Sequence, residues 1–138
     1  MSHVYISLFY QIVWSTKKRY PLITKSIEED LYTNMKLTIK NQKVHLFAIG
    51  GTYDHIHILI KMYQKQSIPE LVKKVKSNSS RFINATSNSL NYFAWQEGYS
   101  VFSVSKSVVP KIKWYIENQK EHHEVHNLDE ELKILYDL

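Results

Sequence analysis

Apolar and polar side chains alternate with a period of two from Asp54 to Ile60. Ile56, Ile58 and Ile60 load one face of an extended segment, while His55 and His57 occupy the other. This pattern predicts a strand over 54–62. A similar alternation predicts a first strand over 4–15, with Val4, Ile6, Leu8, Tyr10 and Ile12 on one face, and residues 43–50 read as a second strand. Gly50-Gly51 then predicts a tight turn and an antiparallel hairpin. A fourth strand is expected over 99–105, where Val101 and Val104 are the β-branched members.

Elsewhere the period lengthens to that of a helix. Ile27, Leu31, Met35 and Ile39 recur every four residues behind Ser26-Ile27-Glu28-Glu29, which has capping-box form and predicts a helix to about Asn41. Ser67-Ile68-Pro69-Glu70 opens a second helix to about Ala85, with an apolar stripe of Ile68, Leu71, Val72, Val75, Phe82 and Ile83. A third helix is expected over 107–123, with Pro110 tolerated in its first turn, and a short amphipathic tail helix over 127–138 through Leu128, Leu132 and Leu135. The order βαββαβ plus a helix predicts an α+β, ferredoxin-like (RRM-like) antiparallel sheet. Two helices should cover one face, leaving the other open for a site or partner. No repeat or low-complexity linker interrupts residues 1–138, so they read as one domain, long enough to bury a core without staples.

Composition narrows the partner. The formal net charge is +5, and the chain holds ten tyrosines, five phenylalanines and three tryptophans. Basic charge with abundant aromatics suits a polyanion whose bases can be stacked. The absence of cysteine excludes a disulfide framework and a thiolate zinc site. Residues 1–14 are apolar but lack a basic leader and a small-residue cleavage site, and no apolar run reaches membrane-span length. A cytoplasmic protein with no membrane partner is expected.

The chemistry concentrates in two places. His55 and His57, at strand spacing, can chelate one divalent ion. Tyr115 and Gln119 lie four apart, on one face of the predicted helix. Three ligands with open positions make a catalytic rather than a structural metal site. A phenol ordinarily titrates near pH 10, so a tyrosine nucleophile gains from a nearby cation. His122, His123 and His126 form a rival cluster, although histidines in a last helical turn also serve the helix dipole. Asp54, at the strand entrance, reads better as a turn former than as a ligand.

These residues carry a family resemblance. His55-Ile56-His57 resembles the histidine–hydrophobic–histidine motif of HUH endonucleases. Tyr115-Ile116-Glu117-Asn118-Gln119, followed by His122-His123, resembles the tyrosine helix of the single-tyrosine transposases of small bacterial insertion sequences. Residues 95–105, from Trp95 to Ser105, are similar to the segment preceding that helix. The resemblance implies a DNA transposase that cleaves and rejoins single-stranded DNA at element ends and recognises subterminal hairpins. Tyr115 would form a 5′-phosphotyrosine link, and His55, His57 and Gln119 would hold Mg²⁺ or Mn²⁺. It also implies a homodimer with a merged sheet, in which the tyrosine helix can complete the partner's site in trans.

For DNA holding, the candidates are Lys17, Lys18, Arg19, Lys73, Lys74, Lys76 and Arg81, with Arg81 suited to bidentate phosphate contacts. Tyr53, Tyr63 and Tyr92 are candidates for stacking or for packing. Two other readings stay open at this point. One is a host-domesticated nickase acting on repeated palindromes. The other is a non-catalytic nucleic-acid binder on the same fold, against which stands the lack of an RNP-like aromatic pattern on the first and third strands.

Overall fold

The structure is a computed structural model that describes residues 3–63, 67–87, 91–119 and 130. Its sheet contains β1 (Leu8–Ser15), β2 (His45–Gly51), β3 (His55–Met62) and β4 (Ser100–Val104) in the order β2-β3-β1-β4. Every pairing is antiparallel. Helices α1 (Lys25–Asn41) and α2 (Ile68–Thr86) connect the strands, and α3 (Val109–Glu117) follows β4. This is the ferredoxin-like arrangement expected from the element order.

Alternation along the strands divides the side chains into two populations. Ile12 and Trp14 of β1 join Ile56, Ile58, Ile60 and Met62 of β3 on one face. Against them pack Ile27, Leu31, Met35 and Ile39 of α1 and Leu71, Val72, Val75 and Ile83 of α2, as their spacing predicts. Phe82 is expected in that stripe but remains 37% exposed. The opposite face is not open. There α3 seats Val109, Ile112 and Ile116 on Phe9, Ala48, Leu59 and Val104 in a second, smaller apolar cluster.

Four expected boundaries move, each for a physical reason. β1 begins at Leu8 because β3, its partner, ends opposite it at Met62; Val4 and Tyr5 are exposed. Gly50 and Gly51 belong to β2, and the turn falls at 52–54. α1 starts one residue before Ser26, with Thr24 at its cap making no side-chain capping bond. α3 ends at Glu117, where Asn118 caps it, and the expected stretch over 120–123 lies outside the described residues. By contrast, Ser67 caps α2 as expected, its hydroxyl accepting from the Glu70 N–H at 3.3 Å. The tail helix and His122, His123 and His126 lie outside the described residues, apart from Glu130, which is exposed. Among the described residues no helix is long and apolar enough to cross a membrane.

Candidate active site

The pairing of β3 with its neighbours fixes the two histidines. His55 stands opposite Ser15, and His57 stands between Val13 of β1 and Gly50 of β2. Both therefore point to the α3 face. Their ring centroids are 5.1 Å apart at an interplanar angle of 72°. Both are fully buried, so the histidine face is closed by protein rather than by solvent.

α3 reaches this face because Gly50 carries no side chain. A Cβ at Gly50 would run into the backbone carbonyl of Ile116. The first glycine of the pair that signals a turn in the sequence thus serves a close approach of helix to strand, and the second a close approach to the β3 backbone at His55. Tyr115 precedes Ile116 in α3 and is half-buried. Beyond Tyr115 the helix closes on Asn118, whose N–H reaches the carbonyls of Trp114 and Tyr115 and whose Nδ2 donates to Trp114 at 2.7 Å. Gln119 lies past this cap and is buried. Its Nε2 donates to the Tyr115 carbonyl at 3.3 Å, so the two residues remain tied although α3 does not run through both.

The donor set suits a cation. Asp54 Oδ1 lies 2.8 Å from His55 Nδ1, and the Thr52 hydroxyl lies 3.1 Å from each of those two atoms. An ionised carboxylate only accepts, so the imidazole proton sits on Nδ1 and the Nε2 lone pair is turned away from Asp54. That Nε2 faces Gln119 Oε1 at 3.4 Å. With its own Nε2 committed to Tyr115, Gln119 also presents lone pairs. Two buried acceptors facing each other repel unless positive charge lies between them, and donors of one ion at about 2.1 Å can be this far apart. Among the described residues no group of three His, Asp or Glu side chains gathers around one position, and the neutral donor that faces His55 is the Gln119 amide oxygen. His57 meets a different neighbour: Gln11 of β1, itself fully buried, whose Nε2 lies 2.7 Å from His57 Nδ1.

Gln11 and Thr52 escaped the sequence reading, Gly50 was read there as part of a turn, and Asp54 as a turn former. It lies in the turn and also orients His55. Gln11 has a visible signal, as a lone amide within an otherwise apolar strand. Its meaning depends on the β1–β3 register, which the sequence does not display.

The basic candidates divide between two uses. Lys17, Lys18 and Arg19 form an exposed 3-10 turn directly after β1, with Lys18 and Arg19 at φ 52° and 54°. That left-handed backbone is strained in a non-glycine residue. It is held by the Lys17 N–H on the Ala94 carbonyl and the Lys18 N–H on Gln96 Oε1. Lys73, Lys74 and Arg81 are exposed on α2; Lys74 donates to Gln42 and Arg81 to Asn78. Lys76 differs. Its ammonium donates to the carbonyls of Gln96 and Gly98 at 2.8 and 2.6 Å, and burial lowers its pKa. The same 94–98 segment therefore anchors both the basic turn and α2. Beside it runs an open groove of about 500 Å³ whose lining includes Lys73, Ser77, Tyr92 and Tyr99. Of the other tyrosines singled out, Tyr53 and Tyr63 are also exposed, with the Lys61 ammonium 4.8 Å from the Tyr63 ring centroid.

A ferredoxin-like domain with paired histidines beneath a tyrosine-bearing helix matches a known class. The family model for "Transposase IS200 like" covers residues 4–119, and the chain belongs to that family. Among individual proteins, it is 24% identical over 117 residues to the ISDra2 transposase TnpA of Deinococcus radiodurans, covering 81% of this chain and 84% of that one. A crystal structure of a Deinococcus radiodurans R1 protein assigned as a transposase superposes with a TM-score of 0.68 at 26% identity. That match covers 86% of this chain and 95% of the other. The REP-associated tyrosine transposase solved with a REP hairpin shares the fold, with a TM-score of 0.67 at 11% identity over 89% and 73% of the two chains.

Proposed function

We propose that the protein cleaves and rejoins single-stranded DNA at insertion-sequence ends, with Tyr115 as nucleophile. The observation that carries this reading is the meeting of His55 Nε2 and Gln119 Oε1 at 3.4 Å, with Gln119 tied through its amide to the Tyr115 carbonyl. The Tyr115 phenol oxygen attacks the scissile phosphorus and loses its proton. The P–O3′ bond breaks, the 3′ oxygen leaves as a hydroxyl, and the DNA 5′ end stays esterified to tyrosine. A 3′-hydroxyl attacking that ester reverses the step and releases Tyr115, so the phosphodiester energy is kept and strands can be exchanged.

When bound, a divalent ion (Mg²⁺ or Mn²⁺) held by His55, His57 and Gln119 polarises a phosphoryl oxygen as a Lewis acid. All three donors are neutral, which leaves the ion its full charge for the phosphate. Burial beneath α3 fixes the imidazoles, and the carboxylate of Asp54 holds one of them in its ligating tautomer. The exposed basic turn and the exposed Lys73, Lys74 and Arg81 of α2 hold the DNA backbone, positioning the strand without reading its sequence. The substrate is a hairpin at each element end. The working unit is a homodimer, in which α3 completes either its own histidine site or its partner's.

Incubation with single-stranded element ends and Mn²⁺ tests the reading. A covalent protein–DNA adduct should form, and Tyr115→Phe should abolish it while leaving DNA binding intact. An equal yield of adduct from the phenylalanine variant would remove Tyr115 from the mechanism. Metal-indifferent binding with no adduct would favour a non-catalytic nucleic-acid binder.

A further inference from the structure

We propose that Gln11 is a positioning residue that decides which nitrogen of His57 carries the imidazole proton. The proposal rests on His57 being a metal ligand. Gln11 sits midway along β1, opposite Leu59 on one side and Phe102 on the other, and is completely buried. An amide in such apolar surroundings weakens the fold unless it is hydrogen-bonded, and a leucine would pack there without that requirement. Its amide nitrogen lies 2.7 Å from His57 Nδ1.

An amide has a donor end and an acceptor end of nearly the same shape. With Nε2 toward the ring, Gln11 donates, Nδ1 accepts, and the imidazole proton is held on Nε2, which then cannot ligate. After a half-turn of the amide, Oε1 accepts from Nδ1–H and the Nε2 lone pair is released. The two histidines are therefore unequal. The carboxylate of Asp54 can only accept, so it presets His55 for a cation. Gln11 can do either, so His57 is switched into the ligating form when a cation arrives.

Nitrogen NMR of the purified protein, without DNA, reads the tautomers directly, and calorimetry gives Mn²⁺ affinity. In the metal-free protein the His57 proton should sit on Nε2, and Mg²⁺ should move it to Nδ1, while His55 keeps its proton on Nδ1 throughout. Gln11→Leu, which removes the amide from both states, should leave the metal-free His57 proton divided between its two nitrogens without moving the His55 signal. Gln11→Glu can only accept, so it should hold that proton on Nδ1 even without metal and tighten Mn²⁺ binding about 10-fold or more, the range for such supporting partners. A His57 proton still fixed on Nε2 in Gln11→Leu would overturn the proposal. So would an unchanged His57 tautomer in Gln11→Glu, which decides the matter if the leucine variant does not fold. Should the ligand assignment itself be wrong, His57→Ala would bind Mn²⁺ as the parent does. If only the role of Gln11 is wrong, His57→Ala loses affinity and the His57 tautomer is the same in the parent, Gln11→Leu and Gln11→Glu.

Discussion

Ile58 and His57 are neighbours in β3 and equally closed to solvent, yet the side chains around them differ in kind. On the Ile58 face, two long helices meet the sheet with aliphatic groups, joined by the buried Trp14 and Phe93. On the His57 face, a nine-residue helix brings three apolar residues onto Phe9, Ala48, Leu59 and Val104 and ends beside Gln119, and the strands add the buried polar Gln11, His55 and His57. Burial alone therefore does not separate core from site in this molecule. The separating property is whether a buried group must be satisfied by one particular partner. Apolar contacts on the first face are non-directional and replaceable by others of similar volume. The second face depends on hydrogen bonds of fixed direction, each failing if its partner moves.

That difference is broken most severely at Gly50. Gly50→Ala places a methyl group against the backbone of Ile116, and a backbone carbonyl cannot rotate aside as a flexible side chain does. α3 has to lift, carrying Tyr115 and Gln119 away from the histidines. Adduct formation should fall on the order of 100-fold or more, the scale set by a displacement of about 1 Å at a reacting centre. The α1–α2 face should stay intact, so the circular-dichroism spectrum should be preserved. The complementary lesion is Ile58→Ala, which empties a buried position on the first face. It should lower unfolding free energy by about 2–5 kcal/mol in a urea titration. Adduct yield per folded molecule should barely change. If both variants lost activity and stability in parallel, the two faces would be one cooperative unit.

The sequence displays the first face far better than the second. β3 announces its aliphatic side through the run of isoleucines, and α1 and α2 repeat apolar residues at a spacing that only a packed helix needs. These patterns are local, so they are readable before any pairing is known. The site depends on register and on close approach. Gln11 matters because β1 sets it on the same face as His57, and Gly50 matters because α3 descends on it. The Gly-Gly pair is a turn signal by composition, but the turn falls one residue later, at Thr52-Tyr53-Asp54. The early apolar residues Val4 and Ile6 suggest a longer first strand, but β3 ends at Met62 and offers them no ladder. His55, His57, Tyr115 and Gln119 could be singled out from the sequence, with Asp54 beside them as a turn former. The contacts that Gln11, Gly50 and Thr52 make with that group could not.

Asp54 gives a finer test of the second face. Asp54→Asn keeps the size of the side chain and the turn, but it introduces an amide that can donate toward His55 Nδ1. The tautomer of His55 then loses its preset, and Mn²⁺ affinity should fall about tenfold, at the lower end for such orienting partners. Thermal stability should change little, because Asp54 is partly exposed and the Thr52 hydroxyl can bond the amide oxygen in place of the carboxylate. A drop in melting temperature without a drop in metal affinity would make Asp54 a turn residue only.

The smallest effect sharpens the first face. α1 and α2 both begin after a hydroxyl residue, Thr24 and Ser67, and both pack on the isoleucine side. Only Ser67 turns its hydroxyl onto a backbone N–H of its own helix; the Thr24 hydroxyl pairs instead with that of Ser26 at 2.9 Å. Ser67→Ala should therefore lower stability by about 1 kcal/mol, the usual value of a lost side-chain cap, while Thr24→Ala stays within measurement error. Both variants should form adduct at the parent rate, since neither cap touches α3 or the histidines. Equal losses from the two would mean that Thr24 caps α1 in solution. A loss of adduct formation from Ser67→Ala would mean that α2 transmits its position to the site through the 94–98 segment, which Lys76 anchors by two hydrogen bonds.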